Sequence, residues 1–159
     1  MSVTTNSPKE TFEYGKKLAA KLSGGDILLL SGELGAGKTS LVKGLAVGLG
    51  IKNKITSPTF ALMNVYEVQS QKSKVKSLVH IDTYRLKDEK ELLEIGAEDY
   101  LGQPDTICAI EWPEKIAELL KRRVSMDVTR HDFVKSNKKT TFISLEHAKN
   151  PQQRKILVQ

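Results

Sequence analysis

The sequence predicts an α/β protein: a mixed sheet, parallel at its centre with antiparallel strands at its margins, flanked by helices. Three observations carry that expectation. The apolar run "DILLLS" leads into a glycine-rich stretch and then a helical pattern from residue 40 to residue 49. Strand-like and helical segments go on alternating through the middle of the chain, which is the mark of a parallel sheet. Strand-like pairs at residues 60–82 and 122–147 read as hairpins, and hairpins place antiparallel strands at the margins.

Each element has its own signal. "SPKETFEYGKKLAAKL" starts on Ser7 and spaces Phe12, Leu18, Ala19 and Leu22 near helical period. "GGDILLLS" follows a double-glycine turn and is short and apolar, so it reads as a buried strand. The helix over residues 40–49 stops at Gly50. "FALMNVYEV" and "KVKSLVHID" are strands joined through "QSQKS". "DEKELLEIGAEDYL" reads as a helix whose acids crowd its favourable N-terminal end. "TICAIE" is another buried strand, and "PEKIAELLK" a helix with Pro113 in its first turn. "RRVSMDVTRH" and "KKTTFISLEH" alternate β-branched residues and are expected to close the chain as a last hairpin.

At 159 residues, with 39% hydrophobic and 28% charged residues, the chain is expected to form one domain over 1–159, loose from about residue 148. No apolar run approaches the ~20 residues of a membrane span. The opening "MSVTTNSPKETFEYG" lacks a charged-then-apolar leader pattern. Cys108 is the sole cysteine, set in a buried strand as a small core residue. These features point to the cytoplasm. The last 39 residues hold 10 Lys and Arg against 3 Asp and Glu, so the excess positive charge lies there. Such a bias fits attraction to phosphate backbones or an acidic partner, or equally solvated strand ends and a loose tail.

The chemistry starts at Gly32, Glu33, Leu34, Gly35, Ala36, Gly37, Lys38 and Thr39, which match G-x-x-x-x-G-K-[ST] without a mismatch. A strand precedes the motif and a helix follows it, as a phosphate loop requires. Glycines let successive N–H groups converge on a phosphate, and the helix N-terminus adds partial positive charge. Glu33 to Ser40 therefore form the nucleotide-binding set, with Lys38 bridging the β- and γ-phosphates and the Thr39 hydroxyl ligating Mg²⁺. Two strands end in an acid, Asp82 and Glu111, at the edge where open α/β sheets bind ligands. Such an acid completes the metal shell or orients the attacking water. The sequence does not divide those two tasks between them. His80, two residues before Asp82 on the same strand face, reads first as a hydrogen-bonded packing histidine. "NKIT" at Asn53–Thr56 lacks the aspartate of a guanine-reading N-K-x-D segment, which favours ATP.

"GELGAGKTS", "TSPTF", "HIDTYRL" and "IEWPE" stand in that order, and together they resemble the TsaE (YjeE) family. These are bacterial ATPases that assist in making threonylcarbamoyladenosine on tRNAs that read codons starting with A. The resemblance runs from about residue 10 to about residue 120. It implies a P-loop fold, weak Mg²⁺-dependent ATP hydrolysis, and a complex with the TsaD and TsaB subunits, with tRNA met indirectly through them. It places Thr59 of "SPTF" near the γ-phosphate as a nucleotide-sensing switch. It matches Asp82 to a catalytic or water-orienting acid and Glu111 to a metal-associated one. It sets Thr11 near the base, where capping of the first helix is the competing role. Trp112 is expected to pack. Arg85 either offsets phosphate charge or forms an exposed ion pair. The "QSQKS" loop and the basic tail carry no family signal.

Two other classes compete with an ATPase that switches its partners. A nucleoside or metabolite kinase would need an arginine-bearing lid, and the acidic segment between Arg85 and Glu111 is not one. A module that senses ATP without turning it over would carry the same loop.

Overall fold

The computed structural model describes residues 1–69, 73–124, 140–148 and 150–159. Among them, Ser2–Thr5 (β1), Ile27–Ser31 (β2), Met63–Glu67 (β3), Ser77–Asp82 (β4), Thr106–Glu111 (β5), Thr140–His147 (β6) and Arg154–Val158 (β7) form one sheet. Its order is β1-β7-β6-β2-β5-β4-β3. β2 lies between β5 and β6 and is parallel to both, and β4 is parallel to β5. The β3–β4, β6–β7 and β1–β7 pairs are antiparallel. The expected plan, parallel within and antiparallel at the edges, is the observed one.

Side chains alternate across a strand, so β2 serves two cores. Leu28 and Leu30 pack with Leu41, Val42 and Leu45 of Lys38–Gly48 (α2) and with Ala19 of Pro8–Ala19 (α1). Ile27 and Leu29 pack on the other face with Leu92 of Lys90–Glu94 (α3) and Leu119 of Ala117–Val124 (α4). Burying side chains of this size stabilises by about 1.5–3 kcal/mol each. Cys108 belongs to the second core, where burial pushes its thiol up to about 12. The α1 and α2 backbones touch, because a Cβ at Gly44 would collide with the carbonyl oxygen of Phe12.

Five local expectations change. The Ncap of α1 is Ser7, whose Oγ accepts from the Glu10 N–H at 3.1 Å, so Thr11 does not cap that helix. The acidic segment holds only the short α3 and a 3₁₀ turn, Ala97–Asp99, because Gly96 between them takes φ 70°. The last helix begins with a 3₁₀ turn at Pro113–Ile116 before α4. Residues 122–124 continue α4 rather than opening a hairpin, and the rest of that expected arm lies outside the described residues. β6 instead pairs antiparallel with β7, so residues 154–158 are not a loose tail but are paired on both sides. β1 has no counterpart in the sequence reading.

Candidate functional site

The phosphate loop leaves the C-terminal end of β2 and enters α2. Gly32 has φ 139°, and a Cβ there would collide with the Leu145 carbonyl oxygen, so the turn needs glycine twice over. Gly37, at φ 99°, stands at the Ncap with no side-chain cap, and the first turn of α2 carries no acid. The positive end of the helix is thus left for an anion. Lys38 is buried, and its Nζ donates to the carbonyls of Gly32 at 2.6 Å and Glu33 at 3.0 Å. The Trp112 ring covers that ammonium at 3.9 Å from the ring centroid. Burial lowers the Lys38 pKa, and the charges of Glu111, Asp82 and Glu114 oppose that shift.

The two acids stand side by side. Asp82 is the register partner of Glu111 across the parallel β4–β5 pair, and both are buried. Their contacts differ. Glu111 Oε1 accepts from the Thr39 hydroxyl at 2.9 Å, tying β5 to the start of α2. Asp82 Oδ2 accepts from Ser57 at 2.8 Å and Thr59 at 2.7 Å, while Oδ1 accepts from the Tyr84 N–H at 3.0 Å. Asp82 therefore holds the "SPTF" turn against the end of β4. Thr83, wholly buried, locks the two strand ends together by donating from its hydroxyl to the Trp112 carbonyl at 2.7 Å.

These groups face a cleft of about 460 Å³, within the size range of small-molecule sites. It is lined by Leu34, Gly35, Gly37, Lys38, Thr39 and Ser40 from the loop, together with Thr59, Asp82 and Glu111. Glu33 is exposed and Ala36 buried beside it. Thr11 lies behind the loop: a Cβ on Gly37 would meet its methyl at 3.5 Å, and its hydroxyl pairs with that of Thr5 at 2.8 Å. Arg85 also lines the cleft, and its guanidinium stacks on the exposed Phe60 ring at 4.2 Å. Ser57, Tyr84 and Arg154 were not singled out from the sequence. Ser57 had a signal, a hydroxyl two residues before Thr59. Arg154 had none, yet its Nη2 donates to the Gly35 carbonyl at 3.1 Å.

Trp112, the residue after Glu111, takes φ 60°, a left-handed backbone that costs a non-glycine residue about 1–3 kcal/mol. That turn lays the indole over Lys38 and 5.1 Å from the Tyr84 ring, so Trp112 packs, but inside the site. Among the described residues no three His, Cys, Asp or Glu side chains gather as a metal cage. Mg²⁺ does not ask for one, because it is commonly held by one or two carboxylates plus substrate phosphates and water. The Thr39 hydroxyl and the Glu111 carboxylate, hydrogen-bonded beside a phosphate loop, are a donor set of that hard-oxygen kind.

A parallel strand, a glycine turn and an acid-free helix N-terminus around a buried lysine make this a P-loop NTPase-like fold. The family model described as "Threonylcarbamoyl adenosine biosynthesis protein TsaE" matches residues 5–142. The chain belongs to the TsaE family. A relative from Treponema pallidum, named tRNA threonylcarbamoyladenosine biosynthesis protein TsaE, is 39% identical over 120 residues, covering 76% of this chain and 84% of its own. Proteins of the same name from Streptomyces coelicolor and Bacillus subtilis are 40% and 42% identical, covering 74% and 73% of this chain and 78% and 68% of theirs. The crystal structure of Bacillus subtilis YdiB superposes with a TM-score of 0.67 at 29% identity, over 98% of this chain and 82% of that one. The likeness spans β1 and β7, beyond the reach of the motifs. No helix among the described residues is long and apolar enough to cross a membrane.

Proposed function

We propose that this chain is a Mg²⁺-dependent ATPase of tRNA threonylcarbamoyladenosine formation, working in the cytoplasm by switching the affinity of TsaD and TsaB partners. The relatives' shared name supports the pathway, and the phosphate loop supports the nucleotide. One observation carries the switch: Asp82 holds the hydroxyls of Ser57 and Thr59 while its register partner Glu111 holds Thr39. The nucleotide-binding loop and the "SPTF" turn are thereby fastened to adjacent carboxylates.

Those contacts support a division of labour. Glu111 and Thr39 would hold Mg²⁺, which supplies charge neutralisation on the phosphates. Lys38 is buried against the loop carbonyls and offsets the negative charge that grows on the transferring phosphoryl group. Asp82 keeps the attacking water oriented and, through Thr59, reports whether the terminal phosphate is present. Trp112 and Tyr84 shield the lysine from solvent. A kinase would pass the phosphoryl group to an acceptor instead of water, so the products separate the two readings.

The test measures phosphate release and TsaD–TsaB affinity with an ATP analogue and with ADP. The expected coupling is ~1–3 kcal/mol, a roughly 5- to 150-fold difference in partner affinity. Thr59→Ala should shrink that difference more than it weakens ATP binding. Equal partner affinity in both nucleotide states ends the switch reading, and a phosphorylated acceptor without free phosphate makes the chain a kinase.

A further inference from the structure

Glu111 is gripped from a second side. Its Oε1 accepts from Thr39 at 2.9 Å and lies 2.8 Å from His80 Nε2, whereas no hydrogen bond from the described residues reaches Oε2. His80 is wholly buried in β4. Its register partner on β5 is Ala109, which offers only a methyl and leaves room for the imidazole to lean toward Glu111, two residues along. His80 Nδ1 is the one buried side-chain nitrogen or oxygen among the described residues without a hydrogen-bond partner. An ionised carboxylate only accepts, so Nε2 carries a proton. Nδ1 then shows a bare lone pair where an N–H would stay unanswered, which fits the neutral Nε2–H tautomer.

A histidine kept only to fill space would do as well as an apolar side chain of its size. This one instead sends its donor to a single carboxylate oxygen that also receives the loop's hydroxyl. We propose that His80 is a positioning residue that fixes the Glu111 carboxylate plane and so reserves Oε2 for the divalent cation or a water it carries. The proposal rests on the reading of Glu111 as the metal-associated acid. Partners that orient a metal ligand typically alter metal affinity by about 10–100-fold when removed. A residue of purely structural value would lower stability without touching the gain in nucleotide affinity that Mg²⁺ provides.

Trp112 is the only tryptophan of the chain and lines the cleft, so its fluorescence reports ADP binding directly. The full chain is titrated with ADP, with and without Mg²⁺, as wild type and as His80→Leu, His80→Asn, His80→Gln and Glu111→Gln. Loss of the donor in His80→Leu, and of its reach in His80→Asn, whose shorter amide stops short of Glu111, should reduce the Mg²⁺-dependent gain in ADP affinity by about tenfold and leave Mg²⁺-free affinity unchanged. His80→Gln, whose amide reaches farther, should keep most of the gain. A folded His80→Leu or His80→Asn protein with the wild-type gain overturns the proposal. If Glu111→Gln loses the gain while the His80 variants keep it, the clamp alone falls. If Glu111→Gln also keeps it, the metal role of Glu111 falls and the clamp with it. Should the Leu and Asn variants not fold, nitrogen NMR of the wild-type imidazole decides: an Nε2–H tautomer is expected, and an Nδ1–H tautomer refutes the contact.

Discussion

The two sides of β2 were built under different demands. On one side, β5 and β4 are buried along almost their whole length and end in Glu111 and Asp82. On the other, β6 and β1 alternate more and less buried residues, β7 buries only Ile156, and none of the three contributes an acid to the cleft. The first side brings the acids to the cleft and the second side supports the loop. Ile143, Leu145 and Ile156 back the core beneath Leu30 and Leu41, the Leu145 carbonyl crowds Gly32, and Arg154 reaches the loop at Gly35. A phosphate loop is a backbone device, so the wall that holds its backbone matters as much as the residues that react.

The sharpest challenge to that comparison is Ile156→Ala. Ile156 is wholly buried in β7, and its truncation should cost about 2–5 kcal/mol in denaturant unfolding. A loss under ~0.5 kcal/mol, the range of surface substitutions, would return β7 to the status of an appendage. Lys38→Ala probes the chemical side. It should lower phosphate release by about 10²–10³-fold, the usual loss for one electrostatic donor, in a protein that stays folded. Near-normal turnover by a folded variant would remove Lys38 from the mechanism.

Arg154→Ala sits where the two sides meet and should have the smallest effect. Losing its bond to the Gly35 carbonyl should cost about 0.5–1.5 kcal/mol of stability, with a matching few-fold loss of nucleotide affinity. Lost stability with unchanged nucleotide affinity would confine the second side to holding the sheet together.

The local patterns that were legible are those in which one short segment contains the whole physical signal. "DILLLS" followed by the glycine loop and a helical period fixes its own strand, turn and helix, because burial on both faces demands continuous apolar residues. The acids at the ends of "SLVHID" and "TICAIE" were legible because a strand's C-terminal end is where such sheets bind ligands. "DEKELLEIGAEDYL" misled because its helical composition outweighed Gly96, whose left-handed φ divides it. "RKILV" misled because five residues with one buried face resemble a basic tail until strands on both sides claim their backbone.

By itself, then, the sequence determined the phosphate loop, the strand and helix that present it, and the carboxylates available to it. Tertiary structure alone decided which hydroxyl meets which carboxylate. Thr39 finds Glu111 across 72 residues of chain, and Arg154 finds Gly35 across 119. It also supplied the partner of the hydrogen-bonded, packed His80, which is Glu111, and placed Thr11 behind the loop. The reason is range: periodicity and turn chemistry act over a few residues, while strand order and register bring together groups that no local pattern relates.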